Sequence, residues 1–135
     1  MDIKISLFFI STFFLIFGGF IAIIPILPKF NHDLKKKVHQ VKFQLRMGVY
    51  GIISILLFAF FPFNDTIILG DLLPMISSFI LTSLFLMGYI RESNLIDEKT
   101  AHQADQILTS IQIPAGFLSF AIGFLHIIFP KLILL

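Results

Sequence analysis

The sequence predicts an all-α integral membrane protein with four transmembrane helices, arranged as two tandem helical hairpins in a parallel repeat. Three observations predict it. The first is composition: 57% of residues are hydrophobic and 13% charged, with a mean hydropathy of +0.97. Soluble domains run at about 45–50% apolar and about 25% charged. The second is four apolar stretches, each long enough to cross ~30 Å of hydrocarbon as a helix. The third is a phrase that occurs twice. QLRMGVYGIISILLFAFFP (44–62) and QIPAGFLSFAIGFLHIIFP (112–130) both open on Gln, place Gly four residues later and close on Phe-Pro.

The first span covers Ile5–Leu27 and is stopped by Pro28. MDIKIS carries no basic cluster and the run after it no A-x-A-like cleavage site, so it reads as a retained span rather than a signal peptide. The second covers Leu45–Phe61, stopped by Pro62. The third covers Leu72–Ile90, with Asp71 as its N-cap, Asp65 as turn chemistry before it and Pro74 in the tolerated first turn. The fourth covers Ile113–Leu132, with Pro114 at its entry as a site for a kink. Length and unbroken apolarity favour helices, because a membrane strand is about 10 residues and alternates.

Orientation follows from basic residues beside the spans. Lys29, Lys35, Lys36, Lys37, Lys42 and Arg46 lie in the first connection; Arg91 and Lys99 lie in the third. The second holds none, and the ends contribute Lys4 and Lys131. Both termini are therefore expected outside, with 29–46 and 91–111 in the cytoplasm, and the expected location is a bacterial inner (plasma) membrane. Leu34, Val38 and Val41 fall at helical spacing behind Asn31. Leu95, Ile96, Ile107, Leu108 and Ile111 do the same behind Ser93 or Asn94. Each connection is expected to be helical and continuous with the span that follows.

Shifted by 68, Gln44, Gly48, Leu57, Phe61 and Pro62 fall on Gln112, Gly116, Leu125, Phe129 and Pro130. Gly19 and Gly88 correspond one residue out of register. Two double-crossing hairpins share one topology, so the repeat is parallel, about an axis along the membrane normal. The chain is one four-helix domain over 1–135, with hairpins 1–67 and 68–135. The connections differ in sign, +5 over 29–46 and −2 over 91–111, so a basic helix is expected near an acidic one. Lys35, Lys36, Lys37, Lys42 and Arg46 are candidates for lipid headgroups or a partner.

Small residues mark packing faces: Ser11, Gly18 and Ala22 in the first span, Gly48 and Gly51 in the second, Gly116, Ser119 and Gly123 in the fourth. Lipid supplies no hydrophobic drive between helices, so close approach at small residues supplies the attraction. His126 is the one ionisable group well inside a predicted span and thus a candidate polar membrane site. Lying four residues before Pro130, it is placed within reach of the outer interface. His39-Gln40 and His102-Gln103 repeat a dipeptide at a different offset and carry no weight.

No cysteine is present, which excludes disulfides and thiolate metal sites. No cofactor, metal site, catalytic constellation or nucleic-acid partner is expected. The primary expectation is a non-catalytic accessory, scaffold or assembly subunit of a membrane complex, whose partners are lipids and other subunits or itself. The alternative is a small oligomeric transporter or channel, with His126 as the titrating group and Ser77, Ser78, Thr82 and Ser83 along a polar path. A membrane enzyme would need convergent groups that His39, His102, Asp97 and Glu98 do not supply by spacing. A scaffold tolerates His126→Ala but not bulky residues at its glycines; a carrier loses flux.

Overall fold

The computed structural model describes residues 2–27, 29, 31–61 and 71–129. Pro28, Pro62, Asp65, Pro130, Lys131 and Leu132 lie outside the described residues. Every regular element among the described residues is helical: α1 (Ile3–Ile23), a 3-10 turn (Ile24–Ile26), α2 (His32–Val38), α3 (Val41–Phe60), α4 (Leu72–Glu92) and α5 (Glu98–Ile128). Helices α1, α3, α4 and α5 are long and apolar enough to cross a membrane.

The first span runs to Ile26, close to the expected end, but its last turn is 3-10 rather than α. Pro25 has no N–H for the carbonyl of Ile21, so the last turn tightens. The Ile24 amide is shared between the Phe20 and Ile21 carbonyls.

The first connection is not continuous with the next span. Asn31 caps α2 as expected, its side chain accepting from the Asp33 amide at 3.1 Å. The helix then breaks at His39 and Gln40, and Gln40 is extended at φ −68, ψ 136. Two side chains take carbonyls near the break. Gln44 Nε2 donates to the Val38 carbonyl at 2.7 Å, and His39 Nδ1 bonds the Lys35 carbonyl at 2.9 Å. The elbow is therefore held by Gln44, which in the sequence stands out only as the opening residue of the repeated phrase.

The third connection does run unbroken into its span. Helix α5 is 31 residues long, or ~46 Å at the usual rise, well beyond ~30 Å of hydrocarbon. It passes through Pro114 without interruption. Its start is later than expected: Asn94 is left-handed at φ 55 and ends the preceding segment, and Asp97 precedes the first turn.

Helix α1 packs most extensively on α5, and α3 on α4; the two spans of each expected hairpin, α1 with α3 and α4 with α5, meet less extensively. The tightest crossing is α1 on α5. A Cβ on Gly19 would lie 2.7 Å from the Gly116 carbonyl oxygen and 2.7 Å from the Phe120 amide nitrogen. At that spacing only glycine lets the two backbones touch. The core gathers Phe14, Leu15, Leu81, Phe85, Met47 and Ile122 around this crossing, and α1 is the most enclosed span.

Hydroxyls inside the bundle are largely satisfied within their own helices. Ser11 donates to the Leu7 carbonyl, Thr12 to Phe8, Ser54 to Tyr50 and Thr82 to Ser78. Back-bonding of this kind lets serine and threonine sit in an apolar interior without a water path. Tyr50 reaches between helices, its hydroxyl donating to the Ile10 carbonyl at 2.9 Å.

Candidate functional site

His126 lies in the last turn of α5 and is fully buried, at 0% exposure. It therefore does not reach outward to an interface. Its Nε2 lies 3.5 Å from Oδ1 of Asp71, which is 2% exposed. The ring packs against Phe8 of α1, with centroids 4.9 Å apart, and Phe58 of α3, at 5.9 Å. All four spans thus converge on one imidazole at the bundle end away from α2. Asp71 is not the side-chain cap that its position predicts: it makes no cap hydrogen bond, and only its backbone carbonyl serves α4, accepting from Met75. The carboxylate points inward, beside the imidazole.

An ionisable pair sealed inside a bundle of membrane-spanning helices is expensive and by default a functional candidate. The 3.5 Å separation exceeds an ordinary N–H···O bond of 2.7–3.2 Å, so the contact is an ionic approach whenever the ring is protonated. The sequence contains a usable signal for it. Asp71 starts one span and His126 ends the next, and antiparallel neighbours bring such positions to the same end.

The α2 end carries a second polar layer. A cavity of about 40 Å³ is lined by Gln44, Gln112, Arg91, His39, Gly88 and apolar neighbours. That is room for a water or two. Gln112 Nε2 donates to the Ala22 carbonyl at 3.0 Å, and a Cβ on Gly88 would meet Gln44 Oε1 at 2.8 Å. Both repeat-marking glutamines therefore sit at helix crossings beside this cavity. Arg91 pairs with Asp105 and with Glu92, the latter at 2.6 Å.

The basic and acidic connections meet where Glu92 lines a groove with Lys36 and Lys42, but no ion pair joins them among the described residues. Arg91 engages the acids of its own connection, and among the described residues Lys35, Lys36, Lys37, Lys42 and Arg46 form no ion pair. Lys36, Lys37, Lys42 and Arg46 are exposed and Lys35 is half-buried.

The small residues fall inside the bundle. Gly116 abuts Gly19, Ala22 and Ile23; Gly123 abuts Leu15 and Ile16; Gly18 faces Leu81 and Phe85; Gly48 faces Leu86. Gly51 receives the Thr82 hydroxyl and the Phe14 ring, and Ser119 is 1% exposed. Gly19, whose added Cβ would strike backbone atoms of α5 at 2.7 Å, stands out in the sequence only as the approximate counterpart of Gly88. His102 stays on the surface beside Gln106. Among the described residues no three His, Asp or Glu side chains converge to hold a metal.

Residues 4–126 match the model of a protein family of unknown function. The chain belongs to that family. No curated protein and no solved structure matches it, so the family's role must be argued from the geometry of this member.

Proposed function

We propose that this member of the family is a non-catalytic integral membrane subunit, an accessory, scaffold or assembly component of a larger complex. The observation that carries the reading is the closed interior. Gly19 and Gly116 bring α1 and α5 into backbone contact, Thr82 fills the notch at Gly51, and Leu86 covers Gly48. The Thr12, Ser54 and Thr82 hydroxyls bond their own helices rather than lining a path, although the buried Ser78 hydroxyl has no hydrogen-bond partner among the described residues. What remains for interaction is an apolar circumference and a polar α2 end.

In this reading both termini face outward, and 29–46 and 91–111 face the cytoplasm of a bacterium, as the eight basic residues at the α2 end favour. The amino-terminal half of α5 then projects from the membrane, whereas α2 and α3 form a bent arm. The helix pairing supports the parallel repeat. A shift of 68 exchanges the α1–α5 crossing for the α4–α3 crossing, and these are the two most extensive.

A second reading is favoured by one observation, the buried His126–Asp71 pair. A small oligomeric transporter or channel coupled to protons requires such a group. The two readings separate when the pair is made neutral without emptying its site. Asp71→Asn with His126→Gln leaves a subunit's assembly intact, whereas Gly116→Leu abolishes it. If the neutral pair abolishes flux of a solute into liposomes and Gly116→Leu affects only folding, the transporter reading replaces the first.

A further inference from the structure

We propose that the elbow between α2 and α3 is a binding site for the phosphate headgroup of an anionic phospholipid, with its acyl chains lying along α3. The inference does not depend on the scaffold reading.

The break at His39 and Gln40 folds α2 back so that Lys36 and Lys42 line one open groove, together with His39, Gln40, Val41 and Glu92. A continuous helix would not fold these side chains around one hollow. Gln44 holds the arrangement through its bond to the Val38 carbonyl. The groove has one acid, and it is partly neutralised: Glu92 Oε1 lies 2.6 Å from Arg91 Nη2. Lys36 and Lys42 have no carboxylate partner among the described residues. Their charge is thus available to an outside anion.

The apolar edge of the groove selects a lipid over a free anion. Val41 lines the groove, and below it Leu45, Val49, Ile52 and Leu56 follow on one helical face at spacings of four and three. Those four are 39%, 48%, 44% and 50% exposed. The groove therefore opens directly onto a lipid-facing stripe. A molecule with a phosphate head and two hydrocarbon tails satisfies both parts at once, since lysine supplies point-charge attraction and exposed aliphatic side chains supply dispersion contacts.

The test uses the full chain in nanodiscs of equal parts phosphatidylglycerol and phosphatidylcholine, with the lipids that stay bound on release counted by native mass spectrometry. Phosphatidylglycerol should be retained in excess, and Lys36→Gln or Lys42→Gln should each cut the excess by about fivefold. Glu92→Gln should raise it, and Lys99→Gln on α5 should leave it unchanged. These substitutions are exposed or partly exposed, so folding persists and is checked by circular dichroism. Equal retention of the two lipids overturns the proposal, as does an excess that ignores both lysine variants. Displacement of phosphatidylglycerol by millimolar inorganic phosphate also overturns it, by making the groove a site for the free anion.

Discussion

Asp71 and His126 meet inside the bundle, with 3.5 Å between Oδ1 and Nε2 and both side chains sealed from solvent. Each belongs to a different span, and the contact locks α4 to α5 while Phe8 and Phe58 hold the ring from α1 and α3.

Removing one member of a buried pair leaves the other without its counterpart, at a cost of about 3–5 kcal/mol. Asp71→Ala or His126→Ala alone should therefore lower the unfolding temperature in detergent strongly, so burial of the ring at 0% exposure removes the tolerance of His126→Ala expected of a scaffold. Asp71→Leu with His126→Phe, which replaces the pair by apolar groups, should recover most of the loss. Single and double variants that simply add would show that the two residues do not interact.

The glycines rank themselves by what a methyl group would strike. Gly19→Ala drives a Cβ to 2.7 Å from backbone atoms of α5, which cannot rotate away, and should cost about 1–3 kcal/mol. Gly18→Ala meets the end of the Leu81 side chain at 3.3 Å and should be near neutral. Thermal unfolding of both variants in one detergent checks the ranking; an equal effect would remove the backbone crossing as the cause.

The four spans were legible because crossing hydrocarbon forces long apolar helices, and no competing interaction can hide that pattern. Asn31 as a cap and the unbroken run of α5 were legible for the same local reasons. The α2–α3 break was not. It depends on Gln44 reaching back to Val38, a bond between segments that helical spacing treats as one. The role of Asp71 was also hidden, since a residue that reads locally as a cap was claimed by a partner on another helix. Gly19 looked ordinary because contact between backbones leaves no side-chain signature.

Thr100 Oγ1 donates to Asp97 Oδ1 at 2.6 Å just before α5, and that hydrogen bond holds the Asp97 carboxyl below its usual range. A folded-state pKa lowered in this way stabilises the helix start above the ordinary carboxylate value of about 3.9. The contribution is lost as pH falls through the depressed value. Protection of the amides at 98–101, taken relative to their intrinsic exchange rate at each pH, should fall on acidification, and Thr100→Val should move that onset to higher pH. An unchanged carboxyl titration in the Thr100→Val protein, followed by NMR, would contradict this.

The absence of cysteine makes orientation directly measurable. A single cysteine at Lys36 should react with a membrane-impermeant maleimide only after the cytoplasmic side is opened, and one at Asp2 should react in intact cells. The opposite pattern would reverse the assignment of both ends.

The most direct measurement is to extract the chain from its native membrane with a polymer that retains surrounding lipid, and to weigh what accompanies it. A membrane subunit arrives with other proteins in fixed stoichiometry, and Asp71→Asn with His126→Gln leaves that assembly unchanged. A lone homo-oligomer whose reconstituted flux disappears with the same double substitution would contradict the subunit reading and make the His126–Asp71 pair the working centre.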